Sequence, residues 1–135
     1  MLDEFDALLG EWELTVPQFG DATGRAVFER LEEGGFVVLR SYAPDPAPDG
    51  VWIIGADDSA EARTVLYHDS RGVARVYQTT LVDGVWRVWR DAPGFAQRYT
   101  GRLSADGRTI AGAWELAMDN ATWAKDFDLN YTKTG

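Results

Sequence analysis

The sequence predicts an all-β fold: an up-and-down barrel of about ten antiparallel strands, with one short N-terminal helix. Three observations lead there. Apolar and polar residues alternate almost without a break from Arg63 to Leu116, the dipeptides Asp83-Gly84 and Asp106-Gly107 mark tight hairpin turns, and strand-like runs recur every roughly 8 to 12 residues. Consecutive hairpins favour a meander over Greek-key crossings, and closing the meander removes its exposed edges.

Asp83-Gly84 sets the register, because a type I′ turn there forces the pairs Leu81/Trp86, Thr79/Val88 and Tyr77/Arg90 onto one face. Val82/Val85, Thr80/Arg87 and Gln78/Trp89 fall on the other, poorer face. If Asp91-Ala92-Pro93-Gly94 is a four-residue loop, the inner face continues through Phe95, Gln97, Tyr99, Gly101 and Leu103, leaving Ala96, Arg98, Thr100 and Arg102 outside. The turn at Asp106-Gly107 carries it to Ile110, Gly112, Trp114 and Leu116.

From the N-terminus, Leu2, Phe5, Leu8 and Leu9 have helical spacing, with Asp3, Glu4 and Asp6 where a helix dipole favours negative charge. Gly10 ends that helix, and Glu11 to Val16 is a strand with Trp12, Leu14 and Val16 on one face. Pro17 to Gly24 is a loop. Arg25 to Leu31 and Phe36 to Tyr42 form a hairpin about Glu32-Glu33-Gly34-Gly35, with mixed faces that leave inside and outside unassigned. Pro44, Pro46 and Pro48 remove too many donors for a ladder, so Ala43 to Gly50 is irregular and a candidate lid. Val51 to Ala56 is a strand, followed by a polar turn and then Arg63 to Asp69. A three-residue turn at Ser70-Arg71-Gly72 places Val65, Tyr67 and Asp69 inside; a two-residue turn would substitute Leu66 and His68. After Leu116 the chain turns, and Thr122 to Thr132 closes the sheet with Trp123, Lys125, Phe127, Leu129 and Tyr131 inward.

At 135 residues the chain is expected to be one domain, and it has no cysteine, which excludes disulfides, thiolate metal sites and cysteine nucleophiles. The acidic start lacks the pattern of a signal peptide and no window approaches a membrane span, so a cytoplasmic protein without membrane insertion is expected. A formal net charge of −9 argues against nucleic acid as a partner. Six Trp, five Tyr and six Phe suit either a filled core or a cavity for an apolar guest.

Gly10-Glu11-Trp12 after a short helix resembles the Gly-x-Trp entry of lipocalins and other calycins. The runs Leu66 to Val73, Val85 to Tyr99 and Asp126 to Tyr131 resemble a bacterial group of lipocalin-like proteins of unknown function. That resemblance spans nearly the whole chain and implies a barrel enclosing a pocket for a hydrophobic molecule, with no catalytic motif to carry over. Distantly similar barrels are nitrobindin and the fatty-acid-binding proteins, the latter holding a carboxylate with buried Arg and Tyr. Haem would need an axial histidine, and the chain offers only His68, away from the closing strand.

The candidate ligand-binding residues are therefore Tyr77, Trp86, Arg90, Phe95, Gln97, Tyr99, Trp114, Trp123 and Phe127, with Arg90 and the tyrosines holding an anionic or carbonyl group. Against this stands a plainer view, in which Arg90 pairs with Asp69 or another acid at the rim and the aromatics only fill the core. An alternative function is a cofactor-independent isomerase or cyclase using Arg90, Tyr77 or Tyr99 to stabilise charge; no catalytic residue is assigned. No cofactor and no metal site is expected, since Asp57-Asp58 and Asp45/Asp49 lack the ligand count of a calcium loop. The protein is expected to act as a monomer or homodimer.

Overall fold

The computed structural model describes residues 2–31, 35–44 and 46–135. A 3-10 helix at Asp3–Leu8 leads into β1(Gly10–Thr15), a 3-10 turn at Pro17–Phe19, β2(Thr23–Leu31), β3(Phe36–Tyr42), β4(Gly50–Ala56) and β5(Arg63–Asp69). Then follow β6(Ala74–Val82), β7(Val85–Arg90), β8(Ala96–Leu103), β9(Thr109–Ala117), β10(Ala124–Asp128) and β11(Asn130–Lys133). Neighbouring strands pair antiparallel in chain order, β8 with β9, and β11 bonds both β9 and β1. The ring is thus closed. β10 and β11 are one strand broken at Leu129, so the barrel has ten strands, as the alternation and turns predict.

The predicted registers hold at the Asp83-Gly84 hairpin, with Leu81 opposite Trp86 and Thr79 opposite Val88. Asp83 and Gly84 both have positive φ, as a type I′ turn requires. The β6–β7 ladder stops at Gln78/Trp89, however, so the expected Tyr77/Arg90 pair does not form. The β5–β6 turn is the three-residue one: Gly72 N–H donates to Asp69 O at 3.0 Å, and Val65 and Asp69 are buried while His68 is exposed. Of the expected turn at Glu32-Glu33-Gly34-Gly35, residues 32–34 lie outside the described residues.

Further sequence expectations are corrected. Ala96 is buried rather than outside, because it pairs with Ala117 where Asn120 clasps the β7–β8 connection, accepting from Gly94 N–H at 2.7 Å and donating to Ala92 O at 2.9 Å. Lys125 is exposed and pairs with Asp128 at 2.9 Å. A bulge between Lys125 and Phe127 inserts Asp126, and everything before it changes face.

The two ends of the barrel differ. Leu2, Phe5 and Leu8 of the N-terminal helix are fully buried and stop one end, tied down by ion pairs Arg63–Glu4 and Arg30–Asp6. Gly10, at φ +122°, turns the chain into β1, and Trp12 then donates its indole N–H to Leu8 O at 2.9 Å. Beneath the helix lie Trp12, Phe28, Trp86, Tyr99 and Tyr131, most of them in edge or tilted ring contacts. Tyr99 lies flat over the cross-strand glycine pair Gly101/Gly112: a Cβ on Gly112 would come within 2.3 Å of its hydroxyl. No helix is long and apolar enough to cross a membrane among the described residues.

Candidate functional site

The other end of the barrel is open. A cavity of about 380 Å³ descends from it, its floor and walls built by inward positions of successive strands: Leu14 on β1, Leu39 on β3, Trp52 on β4, Tyr67 on β5, Tyr77 on β6 and Trp114 on β9. Phe127, Leu129 and Tyr131 close the wall from the last strand. The rim is formed by Phe19, by Phe95 and by Ala43, Pro46, Ala47 and Pro48, so the proline-rich connection predicted to be irregular does border the opening. Phe19 stacks on Phe127, and Gln18 exchanges two hydrogen bonds of 3.0 Å with Asp128, holding the rim to β10.

Besides Ser41 and the exposed carboxylate Asp126, the wall contains two polar clusters. Asp69, its side chain wholly buried, accepts from Tyr67 Oη at 2.7 Å and from the Arg71 guanidinium at 2.6 Å. The Arg71 hydrogen bonds hold the Asp69 carboxyl far below the usual carboxylate range, while burial and the Asp69 charge push the Tyr67 phenol up. Arg71 is thereby neutralised. In the second cluster Gln97 Oε1 accepts from Tyr77 Oη at 2.8 Å and from Arg75 Nη1 at 3.3 Å. Arg75 also lies 5.4 Å above the Phe95 ring and, among the described residues, has no carboxylate partner. It borders both the cavity and a shallow groove on the outer wall.

The tryptophans divide in the same way. Trp86 donates to Thr79 Oγ1 at 3.0 Å, and Trp12 to Leu8 O; Trp52 and Trp114, in the cavity wall, have no protein acceptor among the described residues. No described buried polar side-chain atom lacks a partner, so those two indole N–H groups reach open space.

Of the residues singled out from sequence, Tyr77, Phe95, Gln97, Trp114 and Phe127 line the cavity. Trp86 and Tyr99 belong to the packed half, Tyr99 donating to Leu129 O at 2.9 Å. Trp123, moved to the outer face by the bulge, stacks on Arg98 at 3.9 Å. Arg90, freed from β6 where the ladder ends, borders two shallow outer grooves instead of the cavity. It is not the partner of Asp69; Arg71 is. Sequence reasoning missed Arg75, although Ala74 follows the turn and the alternation Arg75, Tyr77, Thr79, Leu81 was legible once Gly72 was placed. His68 is exposed, so the chain's one imidazole lies outside the cavity. Asp57 is engaged by its own turn, accepting from Ser59 N–H and Oγ, and Asp45 lies outside the described residues.

No family model matches the chain, and no curated protein matches it.

Proposed function

We propose that this barrel binds one small hydrophobic molecule in its open half, as the lipocalin-like resemblance implies. The observation that carries the reading is the cavity of about 380 Å³, within the range of small-ligand sites, walled by aromatic rings while the other half is packed. The apolar body of the guest lies among Trp52, Trp114, Phe127 and Leu129. Its polar end, an anionic or carbonyl group, meets Arg75, Tyr77 and Gln97 in place of the Arg90 expected from sequence. Asp69 does not compete for that donor end, because its acceptor capacity is taken by Tyr67 and Arg71. Native mass spectrometry and quenching of intrinsic tryptophan fluorescence across lipophilic carboxylates, ketones and hydrocarbons test the proposal. One guest per chain and quenching of the cavity tryptophans are expected. Absence of any retained guest across all three classes rejects it.

A further inference from the structure

The outer wall of the barrel is not uniform. On the β1–β3 side, cations are matched by acids: Arg25 pairs with Glu11 at 3.1 Å and Arg40 with Glu29 at 3.3 Å. On the β5–β8 side the outward positions run Thr64, Leu66 and His68; Ala74, Val76, Gln78, Thr80 and Val82; Val85, Arg87 and Trp89; and Arg98, Thr100 and Arg102. None of these is a carboxylate.

Arg87 on β7 faces Thr100, with Arg98 and Arg102 diagonal to it on β8. Arg98 is satisfied by Glu115 at 2.8 Å, but Arg87, Arg90 and Arg102 have no ion-pair partner among the described residues. Residues 71–108 carry seven arginines and three aspartates, whereas the rest of the chain carries six cations against nineteen carboxylates. Of those seven, Arg71 and Arg75 line the cavity and Arg98 is paired, so the outer wall itself carries Arg87, Arg90 and Arg102 as cations without an ion-pair partner among the described residues of a chain of net charge −9.

Aliphatic side chains are exposed on the same wall. Leu66 and Val76 face each other across β5 and β6 and are 52% and 54% exposed, and Val82 is 60% exposed. Shallow grooves on either side of Val76 both include Arg90; one reaches Leu66 and His68 and holds no carboxylate, the other reaches Trp89, Pro93 and the carboxylate Asp91, so the first is the one that suits an acidic partner. Exposed apolar residues bordered by unpaired cations fit a partner that brings both apolar side chains and carboxylates.

We propose that the outer face of β5 to β8 is a docking surface for an acidic, aliphatic segment of another protein. Charge complementarity selects this occupant. A second copy docking through the same face would oppose arginine to arginine. Nucleic acid would leave Leu66, Val76 and Val82 unused and be repelled by the remaining wall. An anionic membrane would meet the same long-range repulsion. One groove of this surface shares Tyr67 and Arg75 with the cavity wall, but the outward residues Val76, Arg87 and Arg102 do not line the cavity, so a test built on them does not require a guest.

Fluorescence anisotropy of the full chain with a labelled peptide of alternating aspartate and leucine tests the proposal, beside its asparagine–leucine counterpart, oligo-dT and phosphatidylglycerol vesicles. The Asp-Leu peptide is expected to bind saturably, at least about tenfold more tightly than the Asn-Leu peptide. Binding should weaken by about tenfold or more in the double variant Arg87→Glu, Arg102→Glu and separately in Val76→Asp. All three positions are exposed, so circular dichroism and melting temperature should match the wild type. Failure of the Asp-Leu peptide to bind at millimolar concentration, equal binding by the Asn-Leu peptide, or indifference to both variants overturns it. Tighter binding of oligo-dT or of vesicles overturns it in favour of those partners, and concentration-dependent dimerisation lost in Val76→Asp overturns it in favour of a second copy.

Discussion

The two ends of this barrel use the same kind of residue for opposite purposes. At the stopped end Trp12 and Trp86 are sealed, each indole N–H satisfied by the chain and each ring packed against others. At the open end Trp52 and Trp114 line space, their N–H groups without a protein acceptor among the described residues. The difference does not lie in composition, since both ends are aromatic. It lies in what covers them: a helix that brings Leu2, Phe5 and Leu8 into one end, and only a proline-rich rim with Phe19 at the other. A barrel of this strand number has room for side chains or a small guest, and here it divides its length between the two.

The helix that stops the sealed end should carry the largest effect. Phe5→Ala deletes a fully buried ring and should cost about 3–5 kcal/mol, read as a lower urea midpoint at unchanged slope. Gly112→Ala comes next: its new Cβ would meet the Tyr99 hydroxyl at 2.3 Å, and the displaced ring should cost about 1–3 kcal/mol. Phe5 belongs to the sealed half, so guest stoichiometry should persist in Phe5→Ala wherever the fold does, whereas Tyr99 also bonds Leu129 O and packs on Trp114 of the cavity wall. Arg75→Met probes the open half. Stability should hardly change, while affinity for a lipophilic carboxylate falls about tenfold and that for a hydrocarbon stays level, measured by tryptophan quenching.

A smaller effect separates the ends by pH. The Arg71 hydrogen bonds lower the pKa of folded Asp69 below its unfolded value. Its contribution is therefore complete above the ordinary carboxylate range, near about pH 4, and is lost as pH falls further. Asp69→Asn should be less stable than wild type at neutral pH, and the two should converge as the solution is acidified. Denaturant titrations at stepped pH read this directly; parallel curves would mean that Asp69 carries no such linkage.

Much of the barrel was legible because turn chemistry fixes strand faces. Asp83-Gly84 was enough to place Leu81, Trp86, Thr79 and Val88 inward, and Gly72 decided that Tyr67, rather than His68, faces the cavity. What escaped were departures from strict alternation. The bulge at Asp126 turned Lys125 and Trp123 outward, and no local residue signal distinguishes it from an even strand. Arg90 has the parity of an inner residue but sits at a ladder's last rung, where parity no longer determines direction. The mixed faces of β2 and β3 had a similar cause: Val37, Val38 and Leu39 are all buried, so both sides of β3 look apolar. Five of the nine candidate site residues line the cavity, and the four that do not were lost to these register effects or to the depth of the packed half.

On the proposed reading, a guest enters one half of the barrel and leaves the other untouched. Proton–nitrogen correlation spectra of the indole groups, recorded during titration with a lipophilic carboxylate, test it most directly because the six tryptophans sample both halves and the outer wall. Saturable shifts at Trp52 and Trp114, with Trp12, Trp86, Trp89 and Trp123 unmoved, are predicted. Shifts led by Trp12 or Trp86, or by the outer pair alone, would contradict it.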